Sequence, residues 1–150
     1  MVNNVSPNKG TQDDGTDKKP HILVAEDDKE MCDLLVLSLR HEGYRVSDCS
    51  DGNKLFKEIS LSYLLTDTKY NTIDLVISDI RMPGFSGLEV LKNARSFKTL
   101  PPFILITAFG NEDIHEQAKN LHVAAVLNKP FDIDELLLRA KEILCSENRV

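Results

Sequence analysis

The chain of 150 residues is the size of one domain and long enough to bury a core of its own. It is 41% hydrophobic and 28% charged, as soluble globular proteins are, and no apolar run approaches the roughly 18 residues a membrane span needs. The net charge of −6 argues against direct nucleic-acid binding, which needs a basic face, and three cysteines with no C-x-x-C pair and no secretory signal read as reduced thiols in a cytoplasmic protein.

Residues 1–19, rich in Asn, Gly, Thr, Asp and Lys with few apolar anchors, predict a disordered N-terminal tail. A folded domain is expected over 20–146, with 147–150 a short C-terminal tail. The run His21-Ile22-Leu23-Val24-Ala25 is too compact for a helix and fits a buried parallel strand. From Asp28 to about His41, Met31, Leu34, Leu35 and Leu39 recur at helical spacing, Val36 and Leu37 widen the apolar face, and Gly43 stops the helix. Tyr44 to Cys49 is a second strand. After the Asp51-Gly52 turn signal, Leu55, Phe56, Ile59 and Leu64 predict a second helix, and the polar stretch Thr66 to Thr72 a loop.

Ile73 to Ser78 is the third strand, followed by a helix from Gly87 to about Phe97 with Leu88 and Leu91 turned inward. Pro101-Pro102 precedes a fourth strand, Phe103 to Thr107. A weaker helix spans Asn111 to about Leu121, and Val123 to Asn128 is the fifth strand. Asp132 caps a last helix carrying Leu136, Leu137, Ala140 and Ile143. Five alternations of strand and helix predict an α/β fold, a parallel sheet covered by helices on both faces. Ligands of such folds gather at the carboxyl ends of the strands.

At those ends the sequence turns polar. The first strand runs into Glu26-Asp27-Asp28, the third into Asp79, the fourth into Thr107, and the fifth into Asn128-Lys129-Pro130. Singly, each has a bland explanation, since an acid after a strand often caps the next helix, as Asp27 or Asp28 could. Together they converge on one rim. Carboxylates meeting there would repel one another unless a cation joined them, and hard oxygen donors with room for water suit Mg²⁺, with Mn²⁺ an alternative. A hydroxyl and an ammonium would complete the donors for a phosphoryl group, and a carboxylate can itself be the nucleophile that forms an acyl phosphate.

The order Glu26-Asp27, Asp79, Thr107, Lys129-Pro130, with D-I-R-M-P-G-F-S-G-L-E-V-L from Asp79 and K-P-F from Lys129, resembles the receiver domain of response regulators over about His21 to Leu144. The resemblance implies a flavodoxin-like, doubly wound five-stranded sheet of order 2-1-3-4-5 with five flanking helices. It implies that Asp79 accepts a phosphoryl group from the phosphohistidine of a sensor histidine kinase or phosphotransfer protein. Asp27 would bind Mg²⁺ directly, Glu26 mostly through water, and the Arg81 backbone carbonyl would be a further ligand. Thr107 would be the switch hydroxyl on the phosphoryl group and Lys129 its ion-pair partner, with a cis Lys129-Pro130 peptide. Asp28, one position past the matching pair, is read as a helix cap. Arg81 and Phe109 fall where the family tunes dephosphorylation, and a bulky Phe109 would slow the attacking water. A downstream effector and, through the fourth and fifth helices, a homodimer are the implied partners.

The chain departs from the family pattern in three ways. Val126 stands where an aromatic residue normally swings inward with the switch threonine, so switching would be weaker or carried by other side chains. The segment from Asp51 to Asp74 is long, which predicts a longer second helix or exit loop. Within it Tyr63, Leu64 and Leu65 are read as packing rather than docking. The chain also ends soon after the last helix, as a stand-alone receiver or a fragment of a longer regulator would. Three rival readings exist. A haloacid-dehalogenase-type phosphatase needs a nucleophilic Asp where Glu26 stands. A scaffold that has lost phosphorylation usually lacks one of the acids or the lysine. A flavin or nucleotide binder wants a Gly-rich loop where Glu26-Asp27-Asp28 lies.

Overall fold

A computed structural model describes residues 19–65, 72–108 and 112–147. The expected tail up to residue 18, the loop at 66–71, Phe109, Asn111 and residues 148–150 lie outside the described residues. The elements are β1 (His21–Ala25), α1 (Lys29–His41), β2 (Arg45–Cys49), α2 (Gly52–Leu64), β3 (Leu75–Asp79), α3 (Gly87–Asn93), β4 (Phe103–Thr107), α4 (Glu112–Asn120), β5 (Ala125–Asn128) and α5 (Ile133–Glu147). All strand pairs are parallel, and the sheet order is β2-β1-β3-β4-β5, the doubly wound arrangement the sequence resemblance implies.

Alternation along each strand builds two cores, because successive side chains point to opposite faces. Ile22 and Val24 of β1, Leu75 and Ile77 of β3 and Ile104 and Ile106 of β4 face α1 and α5, where Leu35, Leu39, Leu136 and Ala140 complete one buried cluster. Leu23, Val76, Phe103 and Leu105 point the other way, toward Leu55 and Ile59 of α2, Val90 and Leu91 of α3 and Ala118 of α4. With both faces covered, β3 and β4 are buried along their whole length.

Among the described residues, four of the loops leaving strand ends supply the next helix cap. Asp28 accepts the Met31 N–H at 2.9 Å, Asp51 the Lys54 N–H at 2.8 Å and Asp132 the Asp134 N–H at 2.9 Å. Ser86 and Glu89 form a reciprocal capping box at α3, with bonds of 3.1 and 3.2 Å. These caps fix where each loop turns, and so where the strand-end side chains sit.

Several helix assignments shift. Leu34 and Leu37 are 48% and 67% exposed, because α1 rests on the sheet through Cys32, Leu35, Val36 and Leu39, a narrower stripe than the run of leucines predicts. Leu64, expected inward, is 71% exposed at the last turn of α2. Tyr63, one residue earlier, stacks on Phe97 with ring centroids 4.5 Å apart and planes 3° from parallel, and its hydroxyl accepts the Lys98 N–H at 3.4 Å. The longer α2 thus packs through Tyr63 and leaves Leu64 and Leu65 outward.

Helix α3 stops at Asn93 rather than near Phe97, the chain leaving in a turn with Phe97 N–H on the Ala94 carbonyl at 3.0 Å. The third strand begins at Leu75 rather than Ile73. Asp74 is held instead by exchange with His21, giving its N–H to the His21 carbonyl at 2.8 Å and accepting the His21 N–H on its carboxylate at 2.7 Å. The same strand extends one residue further than the sequence predicts, so Asp79 is its last member, paired with Ile106 of β4. The fifth strand starts at Ala125, because Val123 N–H is taken by the Ala118 carbonyl at the exit of α4.

Candidate phosphoryl and cation site

The register of the sheet brings the strand-end residues together. Asp79 ends β3, and Thr107 ends β4 one position beyond the Asp79–Ile106 pair. Glu26 follows β1, its N–H on the Cys49 carbonyl at 3.1 Å, and Lys129 follows β5, its N–H on the Thr107 carbonyl at 2.7 Å. The Lys129–Pro130 peptide is cis, turning the chain at the rim of the site.

Glu26, Asp79 and Thr107 are buried, whereas Asp27 is exposed. One carboxylate oxygen from each of Glu26, Asp27 and Asp79 lies within 4.8 Å of the other two. Lys129 reaches across the site: its Nζ donates to Asp79 Oδ2 at 2.7 Å and to Glu26 Oε2 at 3.4 Å. Backbone donors hold the remaining oxygens, with Asp28 N–H on Glu26 Oε1 at 3.1 Å and Arg81 N–H on Asp79 Oδ1 at 3.2 Å.

The electrostatics are strained. Burial, with the Asp79 charge adding to it, pushes the Glu26 carboxyl up to about 7, against the pull of the Asp28 N–H and of Lys129. Burial works to lower the Lys129 ammonium, but the hydrogen bond and charge of Asp79, joined by Glu26, outweigh it and its pKa rises. A single ammonium therefore serves two buried carboxylates with a third alongside. The donor set fits a hard divalent cation: three convergent carboxylates, one of them exposed and able to share the ion with water.

The structure thus brings Glu26, Asp27, Asp79, Thr107 and Lys129 to one rim, with Arg81 two residues past Asp79. Val126 is partly buried on the α2–α4 side of the sheet, opposite Leu105 in the β4–β5 register. Of the roles considered for Asp27 and Asp28, the helix cap falls to Asp28, and Asp27 is left facing the site. Phe109 lies outside the described residues.

Sequence reasoning missed the supports. The Asp28 N–H that holds Glu26 carries no side-chain signal at all. Gly87 is required because a Cβ there would come within 2.8 Å of the Asp79 carbonyl oxygen and 3.1 Å of Ser78 Oγ. The F-S-G spacing after the turn is the only local hint of it.

A doubly wound five-stranded sheet with an acid triad and a lysine at its carboxyl edge defines a receiver-type domain. The chain belongs to the response regulator receiver domain family, whose profile matches residues 22–141. It is similar to the uncharacterized transcriptional regulatory protein YkoG of Bacillus subtilis, at 34% identity over 85% of this chain and 52% of that protein. It is also 36% identical to the response regulator ArlR of Staphylococcus saprophyticus over 82% of this chain and 51% of that one. The chain spans about half the length of these curated relatives. Among solved structures, the receiver domain of HemR from Leptospira biflexa is 28% identical with a TM-score of 0.67, covering 84% of this chain and 94% of that one. A CheY-like receiver domain from Methanospirillum hungatei shares the fold, with a TM-score of 0.76 at 23% identity over 88% of this chain and 98% of that one. No helix among the described residues is long and apolar enough to cross a membrane.

Proposed function

We propose that this receiver domain takes a phosphoryl group onto Asp79 from the phosphohistidine of a sensor histidine kinase or phosphotransfer protein, in a Mg²⁺-dependent reaction in the cytoplasm, and that the change alters a protein-interaction surface. The observation that carries the reading is the buried Asp79 carboxylate at the end of β3, 2.7 Å from the Lys129 ammonium and within 4.8 Å of two further carboxylates.

The chemistry follows from these positions. An Asp79 carboxylate oxygen attacks phosphorus, the P–N bond to the donor imidazole breaks, and its electron pair leaves on the nitrogen. Arg81 N–H and Lys129 Nζ orient the two carboxylate oxygens, and Lys129 offers its charge to the incoming phosphoryl oxygens. Glu26, Asp27, Asp79 and the Arg81 carbonyl would hold the cation, which when bound neutralises negative charge on the transferring group. Thr107, buried at the end of β4 one position beyond the Asp79–Ile106 pair, would bond the acquired phosphoryl group. The domain is then a phosphoacceptor that assists its own phosphorylation and dephosphorylation rather than an enzyme acting on others, with Arg81 and Phe109 tuning the second step. A downstream effector protein or domain reads the change, and a homodimer is a further partner. With Val126 in place of an aromatic, that reading does not depend on an inward-swinging ring.

Incubation with acetyl phosphate and Mg²⁺, followed by intact mass, tests the proposal. A labile phosphoryl adduct is expected on wild type and absent from Asp79→Asn. No adduct from acetyl phosphate or phosphorylated kinase would leave the receiver fold acting as a scaffold.

A further inference from the structure

The loop that follows Asp79 is held by α2, an element with no part in the acid cluster. Gly52, the first residue of α2, donates its N–H to the Pro83 carbonyl at 3.0 Å, and Asn53 Oδ1 accepts the Phe85 N–H at 3.4 Å. The two bonds run in opposite directions, so the loop is fastened by both a carbonyl and an N–H.

The fit is close. A Cβ on Gly52 would stand 1.7 Å from the Phe85 carbonyl oxygen and 2.5 Å from its carbon. Gly84, at φ +77°, lies against the Asn53 carboxamide, with 2.8 Å between Asn53 Oδ1 and a Cβ placed on the glycine. The Phe85 ring meets Phe56 of α2 edge-on, with centroids 6.0 Å apart. Helix α2 is a firm anchor, since Leu55 and Ile59 are fully buried in the core. At its other end the loop is closed by Gly87 N–H on the Ile80 carbonyl at 3.0 Å. Arg81 sits between these anchors, two residues from Pro83, and its N–H holds Asp79 Oδ1.

We propose that Gly52 and Asn53 are positioning residues for the cation site: the first turn of α2 fixes the 81–85 loop, and so the Arg81 backbone and the Asp79 carboxylate, in a ligating arrangement. The inference rests on reading Asp79 and the Arg81 carbonyl as cation ligands. Ligand geometry tolerates displacements of only about 0.5 Å, whereas a side chain at Gly52 would drive the Phe85 carbonyl away by more than about 1 Å. Outer partners of this kind are where metal affinity is commonly set.

The test is calorimetric titration of the full chain with Mg²⁺ alone. Asn53→Leu, similar in size but without the acceptor, is expected to bind about threefold to tenfold more weakly, with faster exchange of the Phe85 amide hydrogen. Asn53→Asp keeps an acceptor in place and is expected to bind no more weakly than wild type. The thermal midpoint of Asn53→Leu should stay at the wild-type value, because the lost bond is exposed and outside the core. Gly52→Ala is expected to weaken binding further, and if it fails to fold, the Asn53 pair decides. Wild-type binding left unchanged by Asn53→Leu overturns the inference alone. No binding by wild type overturns the cation-site reading, and the inference with it.

Discussion

Without a metal, Glu26 is expected to make the protein less stable as the pH rises from about 5 to about 8. Its side chain is buried, only 2% exposed, beside Asp79, and its carboxyl titrates near 7 in the fold against 4.5 ordinarily. Between those values the folded state holds a proton that the unfolded chain has released, so stability falls with rising pH. The contribution is fully present below 4.5 and is lost as the pH passes 7. At about 1.4 kcal/mol per pH unit the loss approaches roughly 3 kcal/mol, an upper figure because Lys129 shares the charge. Glu26→Gln keeps an acceptor for the Asp28 N–H and cannot ionise. Urea unfolding of both proteins in a chelator, at steps from pH 5 to 8, should show the variant overtaking wild type as the pH rises. Every other ionisable side chain is common to the two proteins, so the difference between the curves isolates Glu26. Saturating Mg²⁺ should shrink the difference by stabilising ionised Glu26 in wild type. Parallel curves, or a variant less stable than wild type at pH 8, would refute the reasoning.

Three other outcomes are expected. Lys129→Met strips the ammonium from two buried carboxylates and should cost about 1–3 kcal/mol at pH 7.5 without metal, less than a fully buried pair because Lys129 is partly exposed. That loss should narrow at pH 5, where Glu26 is protonated, and urea midpoints at the two pH values check it. Phe97→Ala removes the Tyr63 stack and a second stack with Phe56 at 6.2 Å, for about 2 kcal/mol, with a weakened tyrosine band in near-ultraviolet circular dichroism. Burial pushes the Cys32 and Cys49 thiols up to about 11 and about 12, while Cys145 is exposed, so a thiol reagent at pH 8 should label one cysteine per native chain and three after unfolding. Rapid native labelling of a second cysteine, read by mass, would count against the buried placement of that pair.

Behind the site, the aromatic rings of α2 form a row with one ring from the acceptor loop and one from beyond α3. Phe85 after the acceptor meets Phe56, Phe56 stacks on Phe97, and Phe97 stacks on Tyr63 at the far end of the lengthened helix. The extra length of this segment therefore adds packing behind the acceptor loop, on the face of the sheet where Val126 also lies.

Much of the fold was legible in the sequence because it is written in short-range pattern. Ile22-Leu23-Val24-Ala25 and Phe103-Ile104-Leu105-Ile106 are apolar at every position, which only a strand covered on both faces requires, and each run breaks off where a polar residue meets the rim. Asp28 and Asp132 announce helix starts because a cap acts on N–H groups two or three residues away. These local rules alone put Glu26, Asp79, Thr107 and Lys129 at strand ends.

Only the tertiary structure decided which leucines are covered and what each charge faces. Leu34 and Leu37 satisfy a helical repeat yet stay exposed, because the stripe a helix buries is set by the sheet it lands on. Lys129 lies 103 residues from Glu26 and 50 from Asp79, and it joins them only because β5, β4, β3 and β1 stand in register. Gly52 needs no positive φ, and its sequence neighbourhood reads as an ordinary turn, yet the Phe85 carbonyl leaves no room for a side chain. Periodicity and capping report on neighbours a few residues apart along the chain. Burial, ion pairing and steric room depend on partners that the sheet brings from far along it.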